Sequence, residues 1–174
     1  MSGVKTLYDE DFFAWSRQQA EALRAAARGG SNQPLDWENL AGEIEDLGKS
    51  DRRELRSRLA LIIEHLVKLT YSRARDPRRN LRETVRRERA EVERILEDSP
   101  SLRREIPGLI GKEAKKVTDL VIAELEERGE VLRPARGALT TKSHLELLPY
   151  ADEQILGDWF PPEPKKPARG ARKP

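Results

Sequence analysis

The chain has 174 residues and no cysteine, which excludes a disulfide framework, thiolate zinc sites and a cysteine nucleophile and fits a reducing compartment. Apolar and charged residues each make up 37% of it, against a usual ~45–50% and ~25%. The net charge is only +2, so the pattern fits long helices with solvated outer faces rather than disorder.

That small net charge hides an asymmetry. Lys165, Lys166, Arg169, Arg172 and Lys173 against Glu163 give residues 161–174 a net +4, which leaves −2 for residues 1–160. A basic character for the whole chain is therefore no argument for nucleic acid. Residues Met1–Tyr8 carry no signal-peptide pattern. The longest apolar run, Leu59–Ile63, is far short of the ~20 residues of a membrane helix. The expectation is a cytoplasmic protein with no membrane partner.

The spacing predicts a first helix over Asp9–Arg28, with Asp9 as cap and Phe12, Trp15, Leu23 and Ala26 near helical spacing, stopped by Gly29-Gly30. Ser31–Leu35 reads as a loop. A second helix runs from Asp36 to Gly48, with Trp37, Leu40, Ala41, Ile44 and Leu47 on one face and only acids among its charges. A third opens at Ser50 or Asp51, with Glu54 completing a capping box on Asp51, and runs to Tyr71. Its stripe is Leu55, Leu59, Ile62, Ile63, Leu66 and Leu69.

Asp76-Pro77 breaks the chain. A fourth helix starts at Asn80, in capping-box spacing with Glu83, over the stripe Leu81, Val85, Val92, Ile95 and Leu96. Ser99-Pro100 closes it and opens a fifth, Pro100–Arg128, which Pro107-Gly108 must kink or split and Gly129 stops. Glu130–Leu148 shows no period. A short helix covers Asp152–Leu156, and Pro161 onward is Pro-rich and basic. There is no β-alternation of useful length and no internal repeat. The expected fold is all-α: an up-and-down bundle of about five long helices over residues 1–160, with a disordered tail over 161–174.

Most catalytic motifs are absent: no Gly-rich phosphate loop, no His-Glu-x-x-His, no nucleophile elbow. His65 flanks the stripe of its helix in a row with Glu54, Arg58, Leu61 and Lys68. A polar boundary row with a hydrogen-bonded histidine outweighs a catalytic role there. Glu88 stands inside an apolar stripe, so it needs a cation from another helix or a place at the bundle's edge. Counting about twelve residues from His65 to Pro77 and about eleven on to Glu88 puts the two at one height, in one network with Lys68. Glu43, Glu45 and Asp46 point three ways on a helix; only Glu43 reaches other groups, so no metal site is expected. Arg73–Arg94 holds nine arginines against five acids, read as a salt-bridged solvated face with no Lys/Arg-only side.

Six segments together look familiar: Asp9–Trp15 with Gln19; Leu35–Leu40 with Glu43–Gly48; His65–Lys68; Thr84-Val85 with Glu88-Arg89 and Val92; Ser99–Leu102; and Pro149-Tyr150 with Gln154–Leu156 and Phe160-Pro161. In order and spacing, from about Leu7 to Pro161, the chain resembles the bacterial family called domain of unknown function twenty-nine. The resemblance implies a small all-helical protein with no assigned activity. It places Glu43, His65, Lys68, Glu88 and Arg89 on the family's polar motif positions. Leu81 stands where the family tends to have Trp, and Glu130–Leu148 departs from its pattern.

The leading functional expectation is a non-enzymatic helical interaction protein, binding a protein partner or itself, with no cofactor. The runner-up is a hydrolase or nuclease-like enzyme using His65 with Lys68, Glu88, Arg89 or Glu43. The third is weak nucleic-acid binding through Arg73–Arg94 and the tail. Whether the chain is an enzyme is left open by the sequence.

Overall fold

The structure, a computed structural model, describes residues 5–30, 33–74, 77–131 and 151–163. Every regular element among them is helical: α1 (Leu7–Glu10), α2 (Phe12–Arg28), α3 (Trp37–Tyr71), α4 (Arg78–Asp98), a 3-10 helix (Pro100–Glu105), α5 (Ile106–Glu127) and α6 (Asp152–Leu156). Four of these are long, one fewer than expected. Most of Glu130–Leu148 and the tail beyond Glu163 lie outside the described residues.

The missing helix was absorbed. The second and third expected helices are one 35-residue rod, α3, about 52 Å long. Gly48, the expected stop, is buried mid-helix against α2. A Cβ there would collide with Ser16 Oγ and come within 3.3 Å of Phe13 Cδ2. Gly48 is thus where two helix backbones approach closely, which offsets the ~1 kcal/mol that glycine costs in a helix. Asp51 caps nothing; its Oδ2 accepts from Ser99 Oγ at 2.9 Å.

The first helix is split instead. Asp9 closes a capping box on Thr6, accepting from its N–H at 3.0 Å and its Oγ1 at 2.7 Å. Asp11 is extended and caps α2, accepting from Ala14 N at 2.9 Å. It also accepts from Ser101 N and Oγ at 2.7 and 2.9 Å, pinning α2 to the 3-10 helix. Helix α4 begins two residues before Asn80, with Pro77 as its N-cap. The expected break near Pro107 is real: the 3-10 helix ends at Glu105, and Pro107 sits in the first turn of α5, where its missing N–H leaves no bond unmade. Gly129 has φ +65°, a left-handed stop open to glycine.

Helix α3 is the spine, with α2 against its first half and α4 and α5 against its second. Arg52–Glu105, Arg56–Glu113 and Lys68–Glu124 pair it in ascending order with the 3-10 helix and α5, so α5 runs parallel to α3. Alternating directions make this an up-and-down bundle. Leu55, Leu59, Ile62, Ile63, Leu66 and Val67 meet Val85, Val92 and Leu96 of α4, Leu102, and Ile106, Leu109, Ile110, Val121 and Leu125 of α5. Ile155 of α6 joins this core, and Pro161 beyond it is buried. The described residues contain no strand, only one antiparallel bridge between Ser72 and Val131. No helix among them is long and apolar enough to cross a membrane.

Candidate functional site

The five polar candidates lie in separate environments, and none hydrogen-bonds another. The Nδ1 of His65 bonds the Leu61 carbonyl one turn back at 2.8 Å. Lys68 donates to Glu64 at 2.9 Å and pairs with Glu124 of α5 at 3.1 Å. Burial lowers its pKa, but the two carboxylates outweigh that and raise it above the ordinary lysine value. Glu43 is exposed on the outer side of α3.

Glu88 does meet a cation from another helix, but the cation is Arg58. Its side chain is 3% exposed and accepts from Arg58 Nη1 at 2.7 Å and from Arg87 Nε at 3.2 Å. Burial pushes its carboxyl up, and these two bonds hold it below the usual range. The expected network with His65 does not form. Six residues of α3 follow His65, whereas ten of α4 precede Glu88, a mismatch of about 6 Å. Arg58 lies deeper along α3 and is long enough to reach.

Arg89 grips the C-terminal segment. Its Nε donates to the Ile155 carbonyl at 2.8 Å, and its Nη2 to those of Gln154 and Trp159 at 2.7 and 2.9 Å. Burial lowers its pKa. The guanidiniums of Arg82, Arg86 and Arg89 all stand over the Phe160 ring, at 5.5, 5.3 and 4.9 Å from its centroid.

That cluster lies within Arg73–Arg94 and corrects the reading of an evenly mixed face. Arg79, Arg87 and Arg94 do pair with nearby glutamates. Arg78, Arg82, Arg86 and Arg89, however, recur at intervals of four, four and three, along a single side of α4. The spacing was visible in the sequence; counting charges around the whole helix concealed it. Among the described residues, no group of three or more histidines and acids is placed to hold a metal.

A model of the family described as "Domain of unknown function DUF29" matches residues 7–160, ending on the ring the arginines surround. The chain belongs to this family. A crystal structure of an α-helical protein of unknown function from Rhodospirillum rubrum is similar in fold, with a TM-score of 0.62 and 25% identity, covering 91% of this chain and all of that one. No curated protein matches. This DUF29 chain and the Rhodospirillum rubrum protein thus share a helical fold.

Two surfaces stand out. Along the outer side of α3, Asp36, Leu40, Glu43 and Leu47 recur at three-to-four spacing, and Leu40 and Leu47 are 40% and 53% exposed. On α5, Lys112, Lys115, Lys116 and Asp119, the last paired with Lys115 at 2.7 Å, line a shallow depression with Leu120, which is 63% exposed. One face is acidic and apolar, the other basic and apolar. Composition flagged the acids of the first; neither leucine stood out, because both were assigned to a buried face.

Proposed function

We propose that this DUF29 chain is a non-enzymatic interaction protein whose partner is a second copy of itself. In this reading the acidic row Asp36–Leu40–Glu43–Leu47 of one copy docks on the Lys112–Lys116–Leu120 face of α5 in the next. The observation that carries it is the opposite charge on two exposed leucine-bearing faces. The two cannot meet within one chain. Arg56 pairs with Glu113 and Lys68 with Glu124, so Lys116 lies level with about residue 59 of α3, some 24 Å along the axis from Glu43. A contact of the acidic row with itself would set like charges together, so the acidic row of one copy meets the basic face of the other.

The binding reading is also supported by what the enzyme candidates do. Lys68, Glu88 and Arg89 are each engaged in contacts that hold helices or a chain end together, and His65 bonds a carbonyl of its own helix. Glu43 stands apart from them in the docking row.

The test is a charge swap read by sedimentation equilibrium from roughly 1 μM to 1 mM, the range of weak association. The natural chain is expected to self-associate, less so at high salt. Glu43→Lys and Lys116→Glu should each abolish assembly, and the two together in one chain should restore it. A natural chain that stays monomeric throughout, or assembly indifferent to both substitutions, overturns the proposal.

A further inference from the structure

Among the described residues, the arginine row of α4 holds more positive charge than its surroundings answer. Arg78 is 7% exposed, and only its Nη2 is satisfied, donating to the Leu69 carbonyl at 2.7 Å. Among the described residues, its Nε and Nη1 are buried without a partner, as are Arg82 Nε and Arg89 Nη1. The nearby carboxylate of Glu163 lies 3.8 Å from Arg82, beyond hydrogen-bond reach, and is 73% exposed. Asp158 acts on Arg89 only through space.

The start of α4 adds to the excess. Its N-cap, Pro77, offers no side-chain acceptor, and no acid occupies the first turn. Arginine at a helix N-terminus opposes the helix dipole, where an anion would be stabilised. A buried guanidinium with two idle donors costs free energy that an oxyanion would recover through charge-assisted bonds. A phosphate group suits the setting better than a carboxylate. It carries up to two charges and presents enough oxygens for donors from two arginines at once.

We propose that Arg78 and Arg82, beside the first turn of α4 and the strap 158–163, form a binding site for a phosphate-class dianion. The ligand is inorganic phosphate or the phosphomonoester of a small molecule, and Arg86 and Arg89 add field while holding Phe160 in the wall. Burial and the neighbouring Arg82 already work against the charge on Arg78, so a bound dianion should also stiffen this end of the molecule.

The experiment uses the full chain and two probes, inorganic phosphate and glycerol phosphate. Each is titrated against sodium chloride of equal ionic strength, with the melting temperature and the 31P line width as readouts. Phosphate should raise the melting temperature and broaden the line where chloride does neither. A larger effect of glycerol phosphate assigns the site to a monoester, and an equal effect assigns it to free phosphate. Arg82→Gln should weaken binding about tenfold, and Arg82→Lys should fall between, since it keeps the charge and loses the fork. Arg79→Gln, whose side chain is 87% exposed and paired with Glu83, should bind like the natural chain. Equal stabilisation by chloride, or equal binding in the Arg82→Gln and Arg79→Gln chains, overturns the site. So does a short oligonucleotide that binds through Arg82 while phosphate and glycerol phosphate stay inert.

Discussion

The two halves of α3 are held by opposite means. Its second half buries Leu55, Leu59, Ile62, Ile63, Leu66 and Val67 among large side chains of α4 and α5. Its first half buries Ala41 and Gly48 against Phe13, Ser16 and Ala20 of α2. Each buried methylene contributes about 0.8 kcal/mol, so the seam of small residues gains much less from apolar burial. It gains close approach instead, with Arg24 bonded to Glu45 at 2.6 Å and Asp11 bonded to Ser101 at its end. Leucine is not scarce in this half; Leu40 and Leu47 face outward. One half of the rod is spent on stability, and the other is left with a surface to offer.

The sharpest way to break this contrast is leucine truncation. Leu59→Ala should cost about 3 kcal/mol, whereas Leu47→Ala should change stability by less than about 0.5 kcal/mol. Urea melts of both decide it, and comparable losses would show that the outer leucine is structural. Next in size is the ion pair. Glu88→Ala should cost about 2 kcal/mol, toward the low side for a buried pair because Arg58 is 31% exposed. A double-mutant cycle of Arg58→Ala with Glu88→Ala should give clear coupling, and His65→Ala with Glu88→Ala should give none. The folded Glu88 carboxyl is held below its ordinary pKa. Its contribution is therefore present above the unfolded value and lost as pH falls through the folded one. Acid melts of Glu88→Gln should show a correspondingly smaller loss of stability below pH ~4.

Glycine gives a matched pair of smaller effects. Gly42→Ala meets open space and should stabilise by about 0.5–1 kcal/mol through helix propensity. Gly48→Ala should destabilise by about 1–2 kcal/mol, because Ser16 and Phe13 must move. Thermal melts that shift both the same way would deny that the helices touch at Gly48. The smallest effect belongs to Asp51→Asn. Burial raises the pKa of Asp51, only partly offset by the Ser99 hydroxyl, so the ionised group is disfavoured in the fold. Its favourable share is complete below the unfolded pKa and lost as pH rises through the folded one. Asparagine should therefore stabilise slightly at neutral pH and make no difference in strong acid. Paired melts at the two pH values check the sign.

The stripe of α4, the break before Pro107 and the stop at Gly129 are legible because each follows from residues within a turn or two. What stayed hidden depends on a distant partner. Gly48 ends helices in most settings, and only Ser16 and Phe13, more than thirty residues earlier, make it part of a rod. The burial of Glu88 could be inferred, and so could its need for a cation. Naming that cation needed the six residues between α3 and α4, which shift the register away from His65 and toward Arg58. The arginine row was periodic in plain view, yet its meaning rests on Phe160, some seventy residues downstream. Such a ring gives no local sign of its role.

The grip of Arg89 has a consequence for how the end of this fold can vary. Its three acceptors are main-chain carbonyls, at residues 154, 155 and 159. Every amino acid supplies one, so the fork senses the path of the segment and is blind to its side chains. Among these contacts, only the ring at 160 is chosen by chemistry. Replacing Gln154 should leave its carbonyl bond to the guanidinium in place, while a one-residue deletion before Trp159 would misplace an acceptor carbonyl without altering any side chain that remains. The closing stretch of the domain is therefore a measured length of backbone more than a spelled motif, tolerant of substitution and intolerant of insertion or loss.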